Sequence, residues 1–221
     1  MAKMNRLTQF FQHHFDDPNY LYFLISLILM LILPSLAPLV WFGDIFLTLA
    51  YGLVILMACI FTSKSYHDLL LLGVLGLIAF VLFQLYSKYQ FVTIINPIAT
   101  LSFFGLVFIR LMQFVFLPKA IEANDIFALT SGYLLLGVIA SPFFFVLDML
   151  LDNAFSIPKG SNFYDLLYFS YITITGVGFG DIVPIHPLAK SLTLIVGISG
   201  QLYLAILVGI IIGKFLAEHR E

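Results

Sequence analysis

The stretch Phe163-Tyr164-Asp165-Leu166-Leu167-Tyr168-Phe169-Ser170-Tyr171-Ile172-Thr173-Ile174-Thr175-Gly176-Val177-Gly178-Phe179-Gly180-Asp181-Ile182-Val183-Pro184 decides how the chain is read. Its first half has the length and apolar character of about three turns of helix. Its second half is extended, with glycine alternating with a bulky residue. Ser161 or Asn162 can cap the helix start, and Asp165 in the first turn complements the helix dipole. Only 15 uncharged residues separate Asp165 from Asp181. That is too few to cross a hydrocarbon core of about 30 Å, which takes about 20 apolar residues. A segment that enters and returns is tolerated only where it is buried in protein or lines water. The helix then ends inside the membrane near Thr173–Thr175, and its negative end favours a cation there.

The surrounding sequence supplies the membrane. The chain has 221 residues, of which 62% are hydrophobic, 16% aromatic and 10% charged. A soluble domain carries about 25% charged residues, so a soluble enzyme, a nucleic-acid binder and a disordered regulator are all disfavoured. The net charge of −2 points to no polyanionic partner. The single cysteine, Cys59, permits no intrachain disulfide.

The few charges are spaced like a ruler. Uncharged gaps of 26, 19, 19, 21, 22 and 23 residues follow Asp17, Asp44, Asp68, Lys88, Asp125 and Lys190. Each suits one membrane-crossing helix, predicting six spans at about 20–40, 44–63, 68–87, 93–117, 125–149 and 188–214. Lys3, Arg6, Lys64, Lys119, Lys214 and Arg220 fall on one side; Lys88, Lys159 and Lys190 fall on the other. The positive-inside rule then places both termini in the cytoplasm, in the plasma membrane by default. Residues 1–19 read as a cytoplasmic or interfacial segment, with Leu7, Phe10, Phe11 and Phe15 near helical spacing. Pro142 falls inside the fifth span, Pro34 and Pro38 late in the first, and Pro97 and Pro118 bound the fourth.

Gly176-Val177-Gly178-Phe179-Gly180 has a physical use. Glycine enters positive φ freely, so the alternation can turn successive carbonyls to one side while Val177 and Phe179 pack back into protein. One such strand offers a single oxygen at each level. Four copies around an axis offer rings of carbonyls able to replace a cation's water shell, so this chemistry demands a homotetramer. The segment resembles the pore helix and selectivity filter of the tetrameric potassium channel family, whose pattern Thr-x-x-Thr-Val-Gly-Tyr/Phe-Gly-Asp is met by Thr173, Val177, Gly178, Phe179, Gly180 and Asp181. The likeness covers about residues 125–214.

The resemblance implies an all-α membrane protein of six transmembrane helices plus a re-entrant pore helix and filter. It divides the chain into a four-helix sensor-like domain over 20–119 and a pore domain over 120–221. The implied activity is passive conduction of K+ through the backbone of Gly176, Val177, Gly178, Phe179 and Gly180, with Thr173, Thr175 and Asp181 supporting the filter. Bound K+ is the only metal and no cofactor is implied; the lipid bilayer and three further copies of the chain are the partners. The protein is not expected to be an enzyme.

Two departures stand out. Gly176 replaces the family's second threonine, which implies a weaker, wetter innermost ion site and makes a weakly selective monovalent cation channel the alternative. On that view Gly176→Thr sharpens discrimination. Phe179 replaces tyrosine and removes a hydroxyl. In the sixth span Gly200 lies where the family carries a hinge glycine, and Gln201 is expected to face a water-filled cavity. The fourth span carries only Arg110, so the arginine ladder of a voltage sensor is missing and Arg110 is expected to snorkel or to anchor its helix. Asp148, Asp152, Asp165 and Asp181 fall at the outer mouth with His186, which serves as a proton sensor or a structural residue.

Overall fold

The computed structural model describes residues 19–33, 43–62, 66–85, 90–116, 122–151, 154–157 and 163–218. Six long or mid-length helices and one short one make up almost all of it: α1 (Tyr20–Ile32), α2 (Gly43–Thr62), α3 (Tyr66–Leu85), α4 (Gln90–Val115), α5 (Ala123–Leu150), α6 (Phe163–Ile174) and α7 (Pro187–Glu218). Two short strands, β1 (Phe155–Ser156) and β2 (Val183–Pro184), flank α6. The expected interfacial helix over Leu7–Phe15 lies outside the described residues, as do Pro34, Pro38, Pro118, Asp152, Ser161 and Asn162.

Each of the six charge-free gaps is overlapped by one of these helices; α1 lies within its gap, and α2, α3, α4, α5 and α7 run past the bounding charges. Three of them, Ile95–Val115 in α4, α5, and Pro187–Leu216 in α7, are long and apolar enough to cross a membrane. Tyr20–Ile32, Thr48–Thr62 and Leu70–Leu82 are shorter apolar helices. In a bilayer, burying apolar side chains between helices gains little over leaving them in lipid, so close packing and polar pairs must hold the bundle. The buried positions fit that demand. Phe23, Leu27 and Met30 of α1, Tyr51 and Val54 of α2, and Phe103, Phe104 and Leu111 of α4 are shielded together with Leu129 and Leu135 of α5. Helices α1 and α4 both lie against α5, and the Tyr20 backbone N–H donates to Asn124 Oδ1 at 2.8 Å.

Arg110 does not reach outward to solvent. Its guanidinium makes a forked pair with Asp68 in the first turn of α3, at 2.6 and 3.0 Å. The fork matches the carboxylate geometry, and the pair fastens α3 to α4. The partner was hidden because it lies 42 residues away, at the boundary of a span rather than within one. Near the start of α5, Lys214 of α7 lies 3.7 Å from Asp125, which is 1% exposed. Asp125 also accepts from the Glu122 N–H at 3.1 Å, capping the start of α5.

Pro142 breaks α5 without ending it. A proline inside a helix removes an N–H and crowds the carbonyl four residues back. The carbonyl so affected, Val138, instead accepts the Ser141 hydroxyl at 3.1 Å. One turn earlier, Gly137 and Leu134 offer carbonyls to α6: Ser170 donates to Gly137 at 2.9 Å and Tyr171 donates to Leu134 at 2.8 Å. A Cβ on Gly137 would sit 2.6 Å from the Tyr171 ring, so glycine at 137 is what admits that tyrosine.

Candidate functional site

The return of the chain is visible in the backbone. Helix α6 has 12 residues, about 18 Å at 1.5 Å per residue, well short of a bilayer core. Before it, β1 pairs antiparallel with β2 after it, placing Phe155 opposite Pro184 and Ser156 opposite Val183. The chain therefore enters and leaves from one side, the side where α5 ends and α7 begins. Two further bonds close this mouth, Ile185 N and His186 N both donating to the Ala154 carbonyl at 2.8 and 3.2 Å. Asp148 is used there too: its Oδ1 accepts the Phe155 N–H at 3.2 Å, a structural task in place of lining a mouth. His186 is likewise a cap. Its Nδ1 accepts the Leu188 N–H at 3.2 Å, with Pro187 at the first position of α7.

Between α6 and β2 runs the glycine strand. Gly176, Gly178 and Gly180 have φ of 72°, 53° and 78°, the left-handed region that residues with a Cβ rarely adopt. Residues 175–181 are all exposed on the chain. The strand is tethered at its root, where Gly176 N donates to Thr173 O at 3.1 Å and Gly178 N to Ile172 O at 3.3 Å. Thr173 and Thr175 turn their hydroxyls back onto the carbonyls of Phe169 and Tyr171, at 2.8 and 2.7 Å. They close the end of α6 and are occupied there. At the other end of the strand, Asp181 interacts with the hydroxyl of Tyr168 in the body of α6. In the sequence Tyr168 stands only as one residue of the apolar helical half of this segment, with no local sign of this partner.

Val177 and Phe179, expected to pack back into protein, find no cover on their own chain. They are 53% and 72% exposed, because α6 flanks the strand on one side only. The long α7 is similarly uncovered. Leu194, Ile195, Ile198, Leu202 and Ile206 are all more than half exposed along it.

Ile174, the last residue of α6, gathers the other expected positions. Its carbonyl accepts from Tyr133 Oη of α5 and from Gln201 Nε2 of α7, both at 3.1 Å. Helix-terminal carbonyls lack intrahelical partners, and here two neighbouring helices supply them. Gln201 is thus engaged with the root of the glycine strand as well as exposed. Gly200 lies directly under the same residue: a Cβ there would stand 2.8 Å from Ile174 Cα. Close approach accounts for glycine at 200 without a hinge. Gly176 also looks different in three dimensions. A Cβ on it would meet Gln201 Nε2 at 3.2 Å, and its φ is 72°. A β-branched threonine would be strained in that backbone by roughly 1–2 kcal/mol, so Gly176→Thr is not the simple gain that the pattern implied.

A family model described as an ion channel matches residues 129–217, from the first turns of α5 to the end of α7. No curated protein and no solved structure gives a match. The matched stretch contains the whole re-entrant element, so the fold and the likeness together support a membrane ion channel. The helices α1–α4 lie outside the match.

Proposed function

We propose that the chain is one subunit of a homotetrameric channel that conducts K+ passively through the backbone carbonyls of residues 176–180. The observation that carries this reading is the re-entrant unit itself: a helix too short to cross, followed by an exposed strand with three left-handed glycines, set between two long apolar helices. A strand of that kind has no value as a single copy, because one oxygen per level is a poor substitute for a hydration shell. Exposure of Val177, Phe179 and one face of α7 supports neighbours of the same kind, since those side chains need protein around them. Six spans, cytoplasmic termini and a plasma-membrane location complete the reading.

The front half makes a poor voltmeter on this view. Each elementary charge crossing the field is worth about 2.3 kcal/mol per 100 mV. Arg110 alone carries positive charge in α4, and it is held by Asp68.

Reversal potentials in planar bilayers of phosphatidylethanolamine and phosphatidylglycerol test the proposal. With K+ on one side and Na+ on the other, the potential is expected to follow the K+ gradient. Equal permeability would leave a cation channel without K+ selectivity, and the absence of current from purified protein would remove the channel altogether.

A further inference from the structure

Gly176 lacks a side chain at the level where the filter meets the interior of the protein. The volume that a side chain would occupy is not open. Gln201 Nε2 lies 3.2 Å, and its Cδ 3.9 Å, from the position of a Cβ on Gly176. The carboxamide comes from α7, a different element, and is held in place by its bond to the Ile174 carbonyl at 3.1 Å. An amide has two N–H donors and a carbonyl acceptor, so one bond to Ile174 leaves polar capacity unused. The residue is exposed on the single chain. The approach of α7 depends on Gly200, where a Cβ would strike Ile174, and on Tyr203, whose hydroxyl donates to the Leu129 carbonyl of α5 at 2.7 Å.

We infer that Gln201 provides from α7 the polar group that position 176 lacks, so that four carboxamides ring the base of the filter and make Gln201 a selectivity-determining residue. The inference rests on the proposed channel function and deepens it. Its consequence is opposite to the expectation drawn from Gly176 alone. The innermost site is not simply bare; its polar ring has moved from the filter strand to the adjacent helix.

A lesser role for Gln201 is to satisfy the Ile174 carbonyl. Tyr133 serves that carbonyl equally, at the same 3.1 Å, so the two residues form a natural control. Gln201→Met keeps the length and removes the amide, Gln201→Asn keeps the amide on a shorter stem, and Tyr133→Phe removes only the other donor. Each variant is purified as the full chain and compared with wild type under the same K+/Na+ gradient. Block by internal Cs+ and by external Cs+ is measured alongside.

The expected result is a fall of about tenfold in the K+/Na+ permeability ratio for Gln201→Met, equal to about 1.4 kcal/mol. Gln201→Asn behaves likewise, and Tyr133→Phe stays within about twofold. Internal block changes while external block does not, because only the inner end of the path is altered. A ratio unchanged in both Gln201 variants overturns the inference. An equal fall in Tyr133→Phe also overturns it, since bracing of Ile174 would then suffice. If Gln201→Met does not assemble, Gln201→Asn decides alone. A wild-type chain that shows no K+ preference removes the channel reading beneath it, and that arm is read separately.

Discussion

Replacing Gly200 by alanine separates close packing from a hinge. The new Cβ would stand 2.8 Å from both Cα and Cβ of Ile174, and closer still to its carbonyl oxygen. Carbon atoms settle at about 3.5–4.0 Å, so α7 and the end of α6 must part by roughly 1 Å. A cavity of about 230 Å³ lined by Ile174, Val196 and Ser199 lies beside the contact and can take some side-chain movement. It cannot relieve the backbone clash, because the Ile174 carbonyl is held from two sides by Tyr133 and Gln201. Overpacking of this kind costs about 1–3 kcal/mol, and the rigid partner puts Gly200→Ala at the upper end. For a chain of this size each kcal/mol lowers the unfolding midpoint by about 2–4 °C, so a fall of about 5–10 °C is expected. The assay is thermal unfolding of the detergent-solubilised protein, with Gly209→Ala beside it. Nothing lies within 4 Å of a Cβ at 209, so that variant is expected to match wild type or gain up to about 1 kcal/mol from helix propensity. A Gly200→Ala midpoint within about 1 °C of wild type, with altered channel opening, would refute close packing and restore the hinge.

The other expectations are direct. Arg110→Gln and Asp68→Asn each lower stability by about 1–2 kcal/mol, and the double variant costs much less than their sum; additive losses in the cycle would mean that the two residues act independently. Gly178→Ala places a side chain at φ 53° and strains each subunit by roughly 1–2 kcal/mol; K+ current is lost while helical circular dichroism is kept, and normal current would contradict the role of the strand. His186→Ala removes the cap of α7 and about 0.5–1 kcal/mol, whereas His186→Asn, which can still accept from Leu188, retains most of it; equal midpoints for the two substitutions would deny the cap.

Much of the fold was legible because the membrane is a severe solvent. Backbone polar groups must be satisfied within a helix there, so the distance from one charge to the next measures helix length. A helix overlaps each of the six wide gaps, but α4, α5 and α7 are the ones among the described residues long and apolar enough to cross, and α1 has 13 residues. The exception, between Asp165 and Asp181, marked the re-entrant unit for the same reason. Cap and turn assignments fared differently. Asp148 read as a charge of the outer mouth but accepts the Phe155 N–H, and the structural alternative for His186 took the form of a cap on α7, roles that depend on where the chain turns back. Val177 and Phe179 read as side chains that pack back into protein, and a single chain leaves that flank uncovered.

What the sequence by itself determined is local: an apolar composition, a helix over each wide gap between charges, one segment too short to cross, and three glycines where the backbone turns left-handed. These follow from the length and composition of contiguous runs and need no partner. What only the tertiary structure decided is which distant side chains meet. Arg110 finds Asp68 across 42 residues, and Gln201 reaches Ile174 across 27 to fill the space beside Gly176. Helices that are apolar on every face carry no periodic signal naming the face each turns to its neighbour. Their rotations are set by side-chain fit, by glycines such as 137 and 200 that let backbones approach, and by the few polar groups that must find one another away from water.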